Sequence, residues 1–277
     1  MKISHYILIF ILTLVLAACK PQISNIGLNK GIEPATDPRE QTAEPESGPQ
    51  KSVDEIASPK SQVLPEEPRM EDTSQSGPEE PDFLDTKVGF ASQAPFGVWD
   101  EFHEETCEEA AMIMVVNHFL GEEINAHIME QALLKIDKWH KQNGYKVDLT
   151  AREVKENLKN YFGFESELIT EVTAARIKKE LLAGKLIIVP AAGRELGNPY
   201  FTPPGPIYHM LVIRGYDAER GEFITNDPGT KRGEAYRYKY NRLIGAIHDW
   251  DHSLAIDGMT DEEIAQGGKI MISVGPK

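Results

Sequence analysis

Apolar positions along the chain change their spacing three times. Ile7 to Leu16 is a short, nearly unbroken apolar run. From position 20 to about 85 no apolar period is sustained. From Asp85 onward apolar and aromatic residues recur with regular spacing, at first helical. Thr106-Cys107-Glu108-Glu109 has the form of a capping box, and Ala110, Ala111, Ile113, Met114, Val115 and Phe119 form the apolar face of the helix it opens, which Gly121 ends. A second helix is predicted over Ile124–His140. A third starts at the box Thr150-Ala151-Arg152-Glu153 and runs to about Phe162. A fourth lies between Thr173 and Gly184. The spacing then shortens. Leu186–Val189, Tyr208–Tyr216, Glu222–Asn226 and Ile270–Val274 read as strands, and Tyr236, Tyr238 and Tyr240 alternate with charged residues as on a half-exposed strand. Helices first and strands later predict an α+β domain over 86–277, its N-terminal helices packed on an antiparallel sheet. Its length suits one core.

The first residues bear on compartment. Lys2, the apolar run and the small residues Ala17 and Ala18 outline a secretory signal peptide over 1–18, too short to read as a membrane span. Leu16-Ala17-Ala18-Cys19 resembles the bacterial lipobox. That resemblance implies cleavage before Cys19, acylation of Cys19 and stable membrane attachment, since each buried CH₂ adds about 0.8 kcal/mol. Lys20 stands where Asp would favour inner-membrane retention, so the expected location is the outer membrane of a diderm host or the outer face of a monoderm cell membrane. Residues 19–85 then form a lipidated tether rich in Pro, Glu, Ser, Gln and Gly, too poor in apolar surface to fold. As a flexible chain it would span on the order of 45 Å. Positions 20–85 hold 15 acidic and 6 basic residues, much of the net charge of −15, which argues against a nucleic-acid partner. Nothing in the sequence bears on oligomeric state.

The chain has two cysteines. With Cys19 lipidated, Cys107 has no disulfide partner and reads as a reactive thiol or a buried apolar residue. At the first position of a helix, unpaired backbone N–H groups favour a thiolate and offer donors to an oxyanion, while Glu108 and Glu109 oppose the charge. His209 begins an apolar strand, with Leu211 and Ile213 on its face. A tight hairpin through Glu219-Arg220-Gly221 returns Asn226-Asp227-Pro228-Gly229 beside it, so either Asn226 or Asp227 is placed to orient the imidazole. The side-chain NH₂ of Gln93 is a candidate oxyanion donor.

The set Gln93, Cys107 opening a helix, His209-Met210-Leu211-Val212-Ile213-Arg214-Gly215-Tyr216-Asp217 and Asn226-Asp227-Pro228-Gly229 resembles the C39-like branch of papain-type cysteine peptidases. The resemblance covers roughly Gln93 to Gly245. It implies a papain-like fold and peptide-bond hydrolysis of a peptide or protein substrate, with no metal or organic cofactor. Cys107 would be the nucleophile, His209 the general base and acid and Asp227 its orienting partner, with Gln93 in the oxyanion hole. Two departures stand out: the Gln-to-Cys interval is longer than in transporter-type members, and Glu follows Cys107 where many relatives have Gly. Leader-peptide processing by export transporters is not carried over to this chain. The irregular stretch from Gly193 to Ile207 leads into His209 and is expected to wall the substrate cleft, with Tyr200 and Phe201 as apolar contacts. His248 and His252 have no evident third ligand, so no metal site is expected. The alternatives are a catalytically silent peptide-binding module tethered to the cell envelope and a transglutaminase-like acyl transferase.

Overall fold

The computed structural model describes residues 80–255 and 258–277. Cys19, the apolar run before it and most of the expected tether lie outside these residues. Strand β1 (Phe83–Asp85) is followed by the short α1 (Glu101–Glu104), then by α2 (Cys107–Leu120), α3 (Ala126–Asn143) and α4 (Ala151–Asn160). Strand β2 (Ser166–Ile169), α5 (Ala174–Leu182), β3 (Leu186–Ala192) and the short α6 (Gly193–Leu196) come next. The chain then runs through β4 (Tyr208–Asp217), β5 (Glu222–Asn226), β6 (Tyr236–Lys239), α7 (Tyr240–Ala246), α8 (Asp261–Ile264) and β7 (Met271–Val274). The fold is α+β with an antiparallel sheet, as the order of helices and strands predicts.

The strands form one sheet in the order β2-β7-β3-β4-β5-β6, with β1 paired to β4. Phe83–Asp85 therefore joins the sheet ahead of the expected domain start at 86. Side chains alternate across the sheet. Met210 and Val212 of β4, Ile188 of β3 and Ile272 of β7 pack with Ala110, Met114, Leu133 and Leu158 of α2, α3 and α4. Leu211, Ile213, Ile187 and Val189 pack on the opposite face with Ile177 and Leu181 of α5 and Leu243 and Ala246 of α7. Helices thus cover both faces, which explains why β3 and β4 are buried along their whole length and read as continuous apolar runs. Among the described residues no helix is long and apolar enough to cross a membrane.

The second capping box forms as expected, Thr150 bonding the Glu153 amide and Glu153 reaching back. The first does not. Thr106 makes no side-chain cap; its hydroxyl donates to His103 O at 3.3 Å. Glu109 turns inward to His140 Nδ1 at 3.0 Å. The difference is burial: the first turn of α2 is sunk in the protein, where the two glutamates find tertiary partners, while the Thr150 box lies in a partly buried turn. The alternating tyrosines also divide, Tyr236 and Tyr238 on β6 and Tyr240 opening α7.

Candidate active site

The β4–β5 hairpin brings His209 and Asp227 together, His209 Nε2 to Asp227 Oδ1 at 2.8 Å. Asp227 has no exposed surface. It also accepts from Tyr238 Oη at 2.6 Å, from Asn198 Nδ2 at 3.0 Å and from the Gly229 amide at 3.0 Å. Burial opposes its charge, but His209 and the donated hydrogen bonds outweigh burial and hold its carboxyl below the usual carboxylate range. The acceptor-only Asp227 fixes Nε2 as the His209 donor, and Nδ1 makes no hydrogen bond to the described residues. Phe201 packs edge-on against the imidazole with centroids 5.3 Å apart. Gly229 leaves room for the ring: a Cβ there would stand 2.8 Å from His209 Cε1.

Of the two neighbours in the hairpin, Asp227 touches the histidine and Asn226 does not. Asn226 instead accepts from Arg214 Nη1 at 3.1 Å and donates to the carbonyls of Val88 and Gly89, both at 3.2 Å, pinning the segment that leads to Gln93. Sequence reasoning did not single out Asn198 or Tyr238. Asn198 lay in the proline-rich stretch after Gly193 and Tyr238 among the alternating tyrosines, and only the tertiary fold turns both onto one carboxylate.

Cys107 occupies the first position of α2 as expected, but its thiol is turned inward. It is 5% exposed, and its Sγ lies 3.1 Å from Glu108 Oε2, its hydrogen-bond partner among the described residues. Burial, then the charges of Glu108, Asp148 and Glu109, push the thiol well above its usual range. Glu108 Oε1 accepts the Leu149 amide at 3.0 Å, and burial together with Glu109 and Asp148 raises its carboxyl too. Cys107 belongs to the α2 side of the sheet with Tyr208, Met210 and Val212, whereas the His209 ring packs on Phe201 with the opposite core. The structure therefore assembles His209 with Asp227 and leaves Cys107 outside hydrogen-bond contact with the imidazole.

Gln93 is 2% exposed. Its Nε2 donates to the carbonyls of His103 at 2.9 Å and Glu104 at 3.0 Å, which uses both amide hydrogens, and Oε1 is buried with no partner among the described residues. The expected free NH₂ is thus tied to α1.

A cavity of about 810 Å³ joins these parts. With His209 and Gln93, its lining includes Tyr200, Phe201, Gly229, Lys231 and Arg232, and also Glu104, Glu105, Asp148, Tyr208 and Trp250. Cys107 does not line it, although Tyr208 and Asp148 beside it do. The size suits a small ligand or a few residues of a peptide. Burial, Glu105 and Glu109 push Asp148 up to about 7, His252 offsetting part of the rise. Partial desolvation and the charges of Glu104, Glu101 and Glu109 raise Glu105.

The other histidines weighed as ligands are engaged separately, His252 with Glu153 at 2.9 Å and His248 with Gly267 O at 2.9 Å. Among the described residues no group of three or more His, Cys, Asp or Glu side chains is arranged to hold a metal ion.

The model of the Peptidase_C39 like family matches residues 86–253. No curated protein matches the chain. Among solved structures, the chain is similar to a candidate C39-like peptidase from Bacillus anthracis, with 13% identity and a TM-score of 0.41 over 69% of this chain and 95% of that one.

Proposed function

Since the chain belongs to the Peptidase_C39 like family, we propose that its peptidase-like domain is a cysteine peptidase acting through Cys107, His209 and Asp227. The observation that carries the reading is the buried His209–Asp227 pair. Asp227 holds Nε2 at 2.8 Å and leaves Nδ1 without a hydrogen-bond partner among the described residues, on a residue that lines the cavity. That is the division of labour a general base needs. Turnover by this route requires the Cys107 thiol, bonded to Glu108 in the structure, to reach this imidazole. Thiolate attack on the substrate carbonyl then forms the acyl-enzyme, His209 protonates the leaving amine, and water releases the product. The amides of the first turn of α2, which lack a side-chain cap, supply oxyanion donors. Gln93 joins them on releasing one of the α1 carbonyls. Tyr200 and Phe201 contact the substrate.

An electrophilic peptide probe of cysteine peptidases, reacted with the full chain, tests this. Covalent labelling of Cys107 that is lost in His209→Ala is the expected result. Absence of labelling in folded protein would overturn it. One observation favours a silent peptide-binding module instead: the thiol is bonded to Glu108 and does not line the cavity. Peptide binding that survives Cys107→Ala, with no turnover by the wild type, would identify that module.

Attachment to the cell envelope through a lipidated Cys19 is part of the same proposal, supported by Leu16-Ala17-Ala18-Cys19. Metabolic incorporation of an alkynyl fatty acid that disappears in Cys19→Ala is its test.

A further inference from the structure

The lining of the cavity carries both signs of charge. Glu104, Glu105 and Asp148 line it together with Lys231 and Arg232, in the same cavity as Gln93, His209 and Gly229. Among the described residues none of these five side chains forms a salt bridge, although both signs line one cavity. Ion pairs elsewhere on the domain are plentiful, as at Arg237 with Asp217 and Lys185 with Glu180. The basic side chains rest on neutral neighbours: Arg232 lies over the Tyr200 ring, 4.8 Å from its centroid, and Lys231 lies against Gly97.

A second, independent observation points to a ligand. Gln93 lines the same cavity, and its Oε1 is buried with no hydrogen-bond partner among the described residues; a buried unpaired acceptor costs about 1–3 kcal/mol. Its amide hydrogens anchor it to the carbonyls of His103 and Glu104, so flipping the amide would set oxygen against oxygen. The position asks for an incoming N–H. The three carboxyl groups of the same lining ask for positive charge, and a lysine or arginine side chain supplies both.

We infer that the cavity selects peptides by charge, taking a cationic side chain against Glu105, Asp148 and Gln93 and an anionic group against Lys231 and Arg232. The inference rests on the reading of this cavity as the substrate site and deepens it to a substrate class. A cationic side chain satisfies the orphan acceptor and relieves repulsion among the carboxylates. An anionic side chain or a terminal carboxylate meets the two bases of the same lining.

The test is binding to full-length Cys107→Ala protein, read by fluorescence anisotropy with labelled octapeptide pools carrying lysine, glutamate or only neutral residues. The lysine pool is expected to bind better than the neutral pool and to weaken about tenfold in Glu105→Gln/Asp148→Asn, where the glutamate pool is unaffected. Lys231→Gln/Arg232→Gln is expected to weaken the glutamate pool alone, so each double variant reports that the other is folded. Equal affinity for all pools, or no binding of any, overturns the inference. The electrophilic probe separates the two readings. Charge-selective binding by a protein whose Cys107 never labels removes the catalytic reading and leaves this one. Labelling of Cys107 without charge preference does the reverse.

Discussion

Replacing Glu108 by Gln should make Cys107 more reactive. Cys107 Sγ and Glu108 Oε2 are 3.1 Å apart and both groups are buried. Two unit charges at that distance repel by about 5 kcal/mol at an effective dielectric of about 20. The thiol and the carboxyl therefore titrate as a pair. Burial raises both groups, and a thiolate formed beside an ionised Glu108 carries that repulsion. Glu108→Gln keeps the shape and an oxygen for the Leu149 amide, 3.0 Å away, and removes that charge. If only a fifth of the repulsion survives relaxation, about 1 kcal/mol, the thiolate fraction still rises about fivefold. The assay is the rate of iodoacetamide alkylation of the Cys107-containing peptide, followed by mass spectrometry from pH 6 to 10 in the folded full-length protein. Burial slows both proteins alike, so their ratio reports the electrostatic part. We expect a profile shifted to lower pH and a rate at pH 8 at least about fivefold higher. An unchanged profile would refute the reasoning, because it would mean that the carboxyl never carries charge while the thiol ionises.

Three further outcomes follow from the same geometry. Asp227→Ala leaves the buried Tyr238 hydroxyl without its acceptor and the Asn198 side-chain nitrogen with only its bond to Tyr238 Oη at 2.9 Å, and should cost about 3 kcal/mol in urea unfolding; because the folded Asp227 pKa lies below the ordinary 3.8, the charge contribution is complete above that pH and is lost as pH falls through the folded value. Gly229→Ala places a methyl 2.8 Å from His209 Cε1, so it should displace the ring and abolish probe labelling while circular dichroism stays native. Asp148 has the opposite sign: its folded pKa of about 7 means that ionisation in the unfolded chain erodes stability as pH rises from about 4 to about 7. Asp148→Asn, which tolerates the left-handed φ of 58° at this position, should therefore stabilise the protein at pH 8 by about 1–2 kcal/mol and leave it unchanged at pH 3.

The parts of the fold legible in the sequence are those with a local signature. The helices α2 to α5 announce themselves by apolar spacing and by terminal residues such as Thr150, Thr173 and Gly121, and β3 and β4 by unbroken apolar runs. The hairpin that carries His209 and Asp227 was legible because turn residues bracket a strand of known length. Strand β1 was not, since Phe83-Leu84-Asp85 is strand-like only beside Gly215 and Tyr216, with which it pairs. The short helices α1, α6 and α8, each 4 residues long, carry too few positions for a period to show.

Glu108 and Glu109 show why local legibility ends where the chemistry starts. In the sequence both read as first-turn acids at a helix N-terminus, a placement that stabilises the helix and costs little in water. In the fold the same turn is buried, and each carboxyl needs a partner from elsewhere: Leu149 N and Cys107 for Glu108, His140 for Glu109. Glu109 is still left with one oxygen unpaired. Asp148 and Glu105 add more acid to the same region, so the groups compete for the protons available and the thiol is held in its neutral form. Natural cores rarely keep such a cluster, because burying charge without pairing costs several kcal/mol. Its concentration around the single cysteine of the domain, at the wall of the cavity that His209 lines, is what a site needs if a cationic substrate is to supply the missing charge. On that view substrate binding and thiol activation are coupled. A lysine side chain entering against Asp148 and Glu105 makes the potential at Cys107 less negative, so the ligand that fills the cavity would also ease ionisation of the proposed nucleophile.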